Sequence, residues 1–193
     1  MTHHHSPVVV GYDFSHSGHA ALHRAVSLAA RAPHHVLHIV CAVSSSASIP
    51  SIPVYDGVDA MYAARVQEAL ALEVQQELDR ADVTSRINFF VHARIGKPAD
   101  EILAIASEVG ADLIIVGSHG LTGLERLVLG SVSEKIVREA GCSVEVARPK
   151  QYSDVASFSL AEVDAQDHTY VLPHRYEYVD HRVLLRPVEW PLQ

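Results

Sequence analysis

Cysteine, methionine and tryptophan are scarce in this chain: two Cys, two Met and one Trp among 193 residues. So few cysteines exclude a disulfide scaffold. Cys41 and Cys142 stand far apart with no C-x-x-C spacing, so two free, packed thiols are expected. Positive charge is also in short supply, with 15 Lys and Arg against 23 Asp and Glu and a formal net charge of −8. That balance argues against non-specific binding to nucleic acid or anionic membranes, which requires a basic face. No apolar run approaches the roughly 18–20 residues of a membrane-spanning helix. The opening Met1-Thr2-His3-His4-His5-Ser6-Pro7 lacks the charge-then-apolar layout of a signal peptide, so a cytoplasmic protein is expected.

Histidine, by contrast, is abundant, at fourteen residues. His16, His19 and His23 fall at i, i+3 and i+7, on one face of a helix, while His34, His35 and His38 lie near the following strand. None of these spacings matches a closed zinc site, and no cysteine cluster supports one. They read as surface histidines, and no metal is expected.

The rest is organised around Ala111 to Ser133. Leu113-Ile114-Ile115-Val116 is too short for a helix and rich in β-branched residues, the pattern of a buried parallel strand. Gly117 opens a glycine-punctuated loop, and Gly130-Ser131 begins a helical pattern with Val132, Ile136 and Ala140 spaced by four. A loop from a buried strand to a helix N-terminus is an anion site in outline. Free backbone N–H groups and the positive end of the helix dipole converge there. The alternatives are turn glycines and a serine N-cap.

Elsewhere the chain alternates strands and helices. Val8 to Val10 reads as a central strand followed by a helix capped by Ser15 or Ser17 and ending before Pro33. Strands are also expected over Val36 to Val43, Ile87 to Ala93 and Val144 to Ala147. Helices are expected from Val58, with Tyr62, Val66, Leu70, Val74 and Leu78 four apart, and after Gly96-Lys97-Pro98. This order predicts an α/β fold: an open five-stranded parallel sheet with helices on both faces, Rossmann-like, with its ligand crevice at the carboxyl ends of the strands. Residues 1–149 form this domain. Residues 150–193 form an aromatic-rich C-terminal extension with a strand at Tyr176 to Leu185, expected to dock on the domain or on a partner subunit.

The loop spacing G-x2-G-x9-G-S, at Gly117, Gly120 and Gly130-Ser131, is neither the dinucleotide fingerprint nor the P-loop. It resembles the nucleotide-binding signature of the universal stress protein family. Val8 to Ser15 and Gly96 to Leu103 resemble that family's first strand and its approach to the third helix, so the likeness covers roughly residues 7–149.

The resemblance implies the adenine nucleotide α-hydrolase-like fold and an ATP or AMP site, with Mg2+ bound through the phosphates. Gly117 and Gly120 would take positive φ and approach ribose and phosphate. Gly130, Ser131, Val132 and Ser133 would hold phosphate by N–H groups and hydroxyls. Asp13, flanked by Tyr12 and Ser15, would contact the nucleoside, the alternative being an Asx-turn. Ala42 would border the adenine, and His119 would reach phosphate or ribose, or face solvent. Tyr12 and Phe14 would narrow the adenine end, and Leu121, in place of a basic residue, would weaken triphosphate binding. Arg126 and Lys135 are candidate phosphate screens.

A nucleotide-dependent regulatory switch in stress response follows. A slow ATPase and a nucleotide-free interaction module are the alternatives. No Walker lysine stands in the loop, and Glu125 and Glu134 are unremarkable as bases, so no catalytic residue is assigned. The resemblance also implies a homodimer paired through the strand at 144–147. Glu145 would there face its own copy, with Arg175 or Arg182 of the extension available to neutralise it.

Overall fold

A computed structural model of the chain describes residues 5–44, 48–49, 51–55, 57–83, 86–120 and 129–149, and the main chain of two strands at 175–179 and 182–186. Contacts divide the chain into two units, Met1–Pro149 and Lys150–Gln193. The first unit runs β1 (Ser6–Gly11), α1 (His16–Arg31), β2 (His35–Val43), α2 (Ala60–Arg80), β3 (Asn88–Ile95), α3 (Pro98–Val109), β4 (Leu113–Gly117), α4 (Ser131–Glu139) and β5 (Ser143–Ala147). Its strands form one parallel sheet in the order β3-β2-β1-β4-β5, the expected fold.

Local signals set the boundaries. Ser15 caps α1 by accepting from the Gly18 N–H, and Asp59 caps α2 by accepting from the Tyr62 N–H at 2.9 Å, which starts that helix just beyond Val58. Pro98 sits in the first turn of α3, where its missing N–H is harmless, and Asp100 and Glu101 complement the dipole. Gly110 ends α3 in the left-handed conformation, φ 62°.

Strand alternation divides the core in two. Val8, Val10, Leu37, Ile39 and Ile115 pack with Leu22 and Val26 of α1 and Tyr62, Val66 and Leu70 of α2. Val9, Val40, Ile114 and Val116 pack on the other face with Ile102 and Ile105 of α3 and Ile136 of α4. Each such aliphatic side chain contributes about 1.5–3 kcal/mol on burial. Both faces of β1 are covered, which is why Val8-Val9-Val10 shows no polar alternation. No helix among the described residues is long and apolar enough to cross a membrane.

Two of the three histidines read as surface residues of α1 are interhelical partners. Nδ1 of His23 lies 2.6 Å from Oε1 of Glu77, a carboxylate on α2 that is only 3% exposed and also bonded by Arg80. One turn earlier, the Tyr12 hydroxyl bridges His19 at 3.0 Å and Glu73 at 3.3 Å.

In the second unit, where one strand is expected over 176–185, the chain forms two antiparallel strands, β6 (Arg175–Val179) and β7 (Arg182–Arg186), with Tyr176 opposite Leu185. The polar pair Asp180-His181 between two apolar-alternating runs has hairpin spacing, but it lacks the glycine that usually marks such a turn.

On the outer part of the α3-side face, His38 of β2 and His92 of β3 meet across the strands, Nδ1 to Nε2, at 3.1 Å. Burial, then the neighbouring imidazole for His38 and the Arg94 guanidinium for His92, hold both below the ordinary histidine pKa. The fold therefore keeps both neutral, whereas the unfolded chain takes up these protons as pH falls through about 6.5. Stability from this pair is present above that pH and is lost below it. Urea midpoints at pH 7.5 and pH 5.5 are expected to differ less in His92→Gln than in the parent. An unchanged difference would contradict this account.

Candidate functional site

β1 and β4 lie side by side, Val8 opposite Leu113 and Val10 opposite Ile115, yet the chain leaves β1 toward β2 and leaves β4 toward β5. This reversal opens a crevice at their carboxyl ends, the general ligand position in doubly wound sheets.

Asp13 stands two residues beyond β1. Its Oδ1 accepts from the Ser15 N–H at 3.1 Å and the Ser15 hydroxyl at 2.5 Å, while the Ser15 hydroxyl oxygen accepts from the Gly18 N–H at 3.0 Å. The Asx-turn alternative is thus realised on one carboxylate oxygen. The other, Oδ2, faces the loop after β4, because a Cβ on Gly120 would come within 2.8 Å of it. Between Asp13 and Ser15, Phe14 is held at φ 61°, a left-handed conformation that costs a bulky residue roughly 1–3 kcal/mol.

Gly117 ends β4 beneath the first turn of α1. A Cβ there would lie 2.6 Å from the Ser17 carbonyl carbon and oxygen. Positive φ was expected at Gly117 and Gly120 but occurs at neither, and Gly130 has φ −61°. Close approach of backbone to backbone or carboxylate is what these glycines permit.

Gly130 is the N-cap of α4, and among the described residues no side chain caps this helix. Its N–H donates to the Ser118 carbonyl at 2.9 Å, and the buried Ser133 hydroxyl donates to the Gly117 carbonyl at 2.6 Å. Ser133 therefore clips α4 onto β4, which leaves its N–H rather than its hydroxyl for an anion. The N–H groups of Ser131, Val132 and Ser133 are the first-turn donors that helix geometry leaves without intrahelical acceptors. The Ser131 side chain is exposed, and Val132 packs into the α3–α4 core.

His119 is half-buried, with Nδ1 3.0 Å from the Ser118 hydroxyl. Its Nε2 is buried and has no hydrogen-bond partner among the described residues. Such an atom costs about 1–3 kcal/mol unless a ligand completes it. Phosphate or ribose oxygens suit an N–H there, so the site fits a nucleotide in chemistry as well as position.

Tyr12 occupies a different place from the one expected of it. At 3% exposure its ring lies in the α1–α2 core, edge-on to Phe14, and its N–H donates to the Val40 carbonyl. Burial first, then Glu73, pushes the phenol well above its ordinary pKa, so it stays protonated. It anchors the peptide leading to Asp13 and offers a ligand only main chain. Ala42 is half-buried near the end of β2, beside β1. Lys135 is held on α4 by Asp100 and Glu139, so it is not a free phosphate screen. Leu121, Glu125 and Arg126 lie outside the described residues.

Ser17 and His19 were read from sequence only as a possible cap and a surface histidine, and Glu73 was not read at all; the structure sets the Ser17 main chain against Gly117 and has His19 and Glu73 hold Tyr12. No local motif marks them. Ser118, whose N–H donates to the Ala147 carbonyl at 3.1 Å, was not read from sequence either.

The two glycines should respond differently to substitution. Gly117→Ala must displace the first turn of α1 and is expected to lower stability by about 1–3 kcal/mol in urea melts, with or without ligand. Gly120 is exposed and among the described residues would meet only a carboxylate oxygen, so Gly120→Ala should fold with nearly parental stability. Equal destabilisation by both would refute the packing assigned to Gly117.

The sequence matches the universal stress protein family over residues 5–148. A putative universal stress protein of Staphylococcus haemolyticus is 35% identical over 147 residues, 75% of this chain and 85% of the relative. Among solved structures, universal stress protein UspA from Lactobacillus plantarum aligns with a TM-score of 0.58 and 26% identity, covering 75% of this chain and 98% of that one. A universal stress protein crystallised in complex with cAMP aligns with a TM-score of 0.52 and 26% identity, covering 75% and 97%. The strand order and the likeness over residues 5–148 have one explanation: the chain belongs to the universal stress protein family.

Proposed function

We propose that this protein binds ATP or AMP in the crevice between β1 and β4 and acts in the cytoplasm as a nucleotide-dependent regulatory switch of the stress response. The observation that carries this reading is the buried Nε2 of His119, which has no partner among the described residues and stands next to Ser118, whose carbonyl accepts from the N-cap Gly130 of α4. Asp13 lies across from it, with Oδ2 directed at Gly120. The cAMP complex of the relative at 26% identity supports an adenine nucleotide as the ligand class.

In this reading Asp13 Oδ2 accepts from a nucleoside hydroxyl, with Ser15 fixing the carboxylate through its other oxygen. The main chain of Tyr12 and Ala42 borders the base. Gly117 and Gly120 let the backbone approach ribose and phosphate, and the N–H groups from Gly130 through Ser133 face the phosphates. His119 Nε2 donates to phosphate or ribose. Mg2+ arrives with the phosphates. Hydrolysis requires a base or water-orienting group, and no described residue stands out for that role. Occupancy, rather than turnover, is the signal.

The protein also acts as a homodimer paired through β5, which is an edge of the sheet. The like-charge objection at Glu145 falls away. Arg24 of the same chain binds Glu145 through Nε at 2.5 Å and Nη2 at 3.2 Å, so the extension is not needed to neutralise it. The extension's role is then apolar burial against the partner subunit.

Calorimetric titration with ATP and AMP tests the site. Gly120→Val should cost several kcal/mol of binding, because the side chain would occupy the gap beside Asp13, while Lys135→Ala should leave affinity nearly unchanged. Parental affinity in a folded Gly120→Val protein would remove the assignment. Steady-state phosphate release is expected to fall far below the ~1–100 s⁻¹ of kinases, and rapid turnover abolished by His119→Ala would favour the enzyme instead. Truncation after Lys150 should weaken the dimer in analytical ultracentrifugation without changing nucleotide affinity, and an unaltered dimer constant would rule out a role for the extension there.

A further inference from the structure

The parallel register of β2 and β3 brings together two histidines that lie 54 positions apart. His38 stands opposite Phe90, and His92 opposite the neighbouring Val40. Val40 belongs to the core under α3, so His38, two residues earlier on the same strand, shares that face of the sheet. α3 lies over β1 and β2, and the edge strand is left open: Phe90 is 56% exposed. The three rings line up there, Phe90 on His38 at 5.0 Å and 19°, and His38 on His92 at 5.3 Å and 20°.

From this geometry we propose that His38 Nδ1 and His92 Nε2 form an open two-imidazole site for a first-row divalent ion, Zn2+ or Cu2+. The two nitrogens are 3.1 Å apart. With metal–nitrogen bonds of about 2.0–2.1 Å, that separation corresponds to a ligand–metal–ligand angle of about 100°, close to tetrahedral. The ion takes the place of the hydrogen bond between the two rings, and each ring turns by about 40° to aim its nitrogen lone pair at the metal, the base angle of a triangle with an apex of about 100°. Imidazole is the side-chain ligand such ions favour, and Cu2+ binds more tightly than Zn2+. Arg94, next on this face of β3, donates to Glu108 of α3 at 2.7 Å, and that carboxylate offsets part of the charge the ion would meet. No group of three or more His, Cys, Asp or Glu among the described residues is arranged around a metal. Water therefore completes the coordination sphere, and the ion exchanges rather than serving as a structural staple. The site lies on β2 and β3, away from the β1–β4 crevice, and is independent of the nucleotide reading.

The test uses the full chain with His3→Ala, His4→Ala and His5→Ala, which removes the N-terminal chelating tract. Bound Zn2+ and Cu2+ are counted by competition with a chromophoric chelator. His38→Gln and His92→Gln should each lose one equivalent relative to this parent, and Phe90→Ala, which keeps both imidazoles, should retain it. In the parent, Zn2+ should raise the melting temperature by an increment absent from His92→Gln. Circular dichroism confirms that each variant is folded. An undiminished metal count in either histidine variant would overturn the site. So would an equal loss in Phe90→Ala, since packing of the patch rather than ligation would then explain it.

Discussion

The contact on which this architecture turns is the seating of the Ser17 main chain against Gly117. The first turn of α1 rests directly on the end of β4, at a distance where even a methyl group would collide with the carbonyl. That contact sets how closely the helix after β1 crosses the neighbouring strand. Ser15 aligns the same turn by capping α1 and tethering Asp13. Ser133 pulls α4 onto the Gly117 carbonyl from the other side. Two helices with opposite roles in the winding thus converge on a single glycine.

The fold was legible because its strands are covered on both faces. Val8-Val9-Val10 and Leu113-Ile114-Ile115-Val116 are short, β-branched and unalternating, which only buried parallel strands require. Helix starts were legible to within a few residues because caps announce them, Ser15 and Pro98 each doing so chemically. The neighbourhood of the candidate site was legible through its glycines. Their reason was not, since spacing cannot distinguish a left-handed turn from a steric gap. Tyr12 was misplaced because adjacency to Asp13 in sequence says nothing about which way a ring points. Odd and even positions at a strand end face opposite layers, and Tyr12 continues the inward series of Val8 and Val10.

Long-range pairings were the least legible. The salt bridge from Arg24 to Glu145 spans 121 positions, and the contact from His38 to His92 spans 54. No local period encodes either. Glu145 looked like an obstacle to pairing at the sheet edge precisely because its partner lies on another element. Once α1 is laid over the sheet, the charge on β5 is answered from within the same chain, and the edge is left electrostatically neutral at that position. The histidines divide the same way. Those on α1 that looked solvated are tied to Glu73 and Glu77, and the pair that can act together is assembled by strand register alone.

These pairings also suggest how a ligand in the crevice would be felt elsewhere in the domain. Asp13 is one peptide from Phe14, which is strained, and one from Tyr12, which is buried and bonded to both α1 and α2. A nucleoside drawing on Asp13 Oδ2 would pull on a residue whose neighbours cannot shift independently. Phe14 is already in a left-handed conformation, and Tyr12 is bonded to His19 and Glu73. The displacement is therefore directed into the α1–α2 interface, where Glu77 is held in near-complete burial by His23 and Arg80. A buried carboxylate of this kind tolerates few arrangements of its partners, since a lost contact leaves its charge uncompensated. Such an interface favours discrete positions of α2 over graded ones, which is the mechanical property an occupancy-driven switch requires.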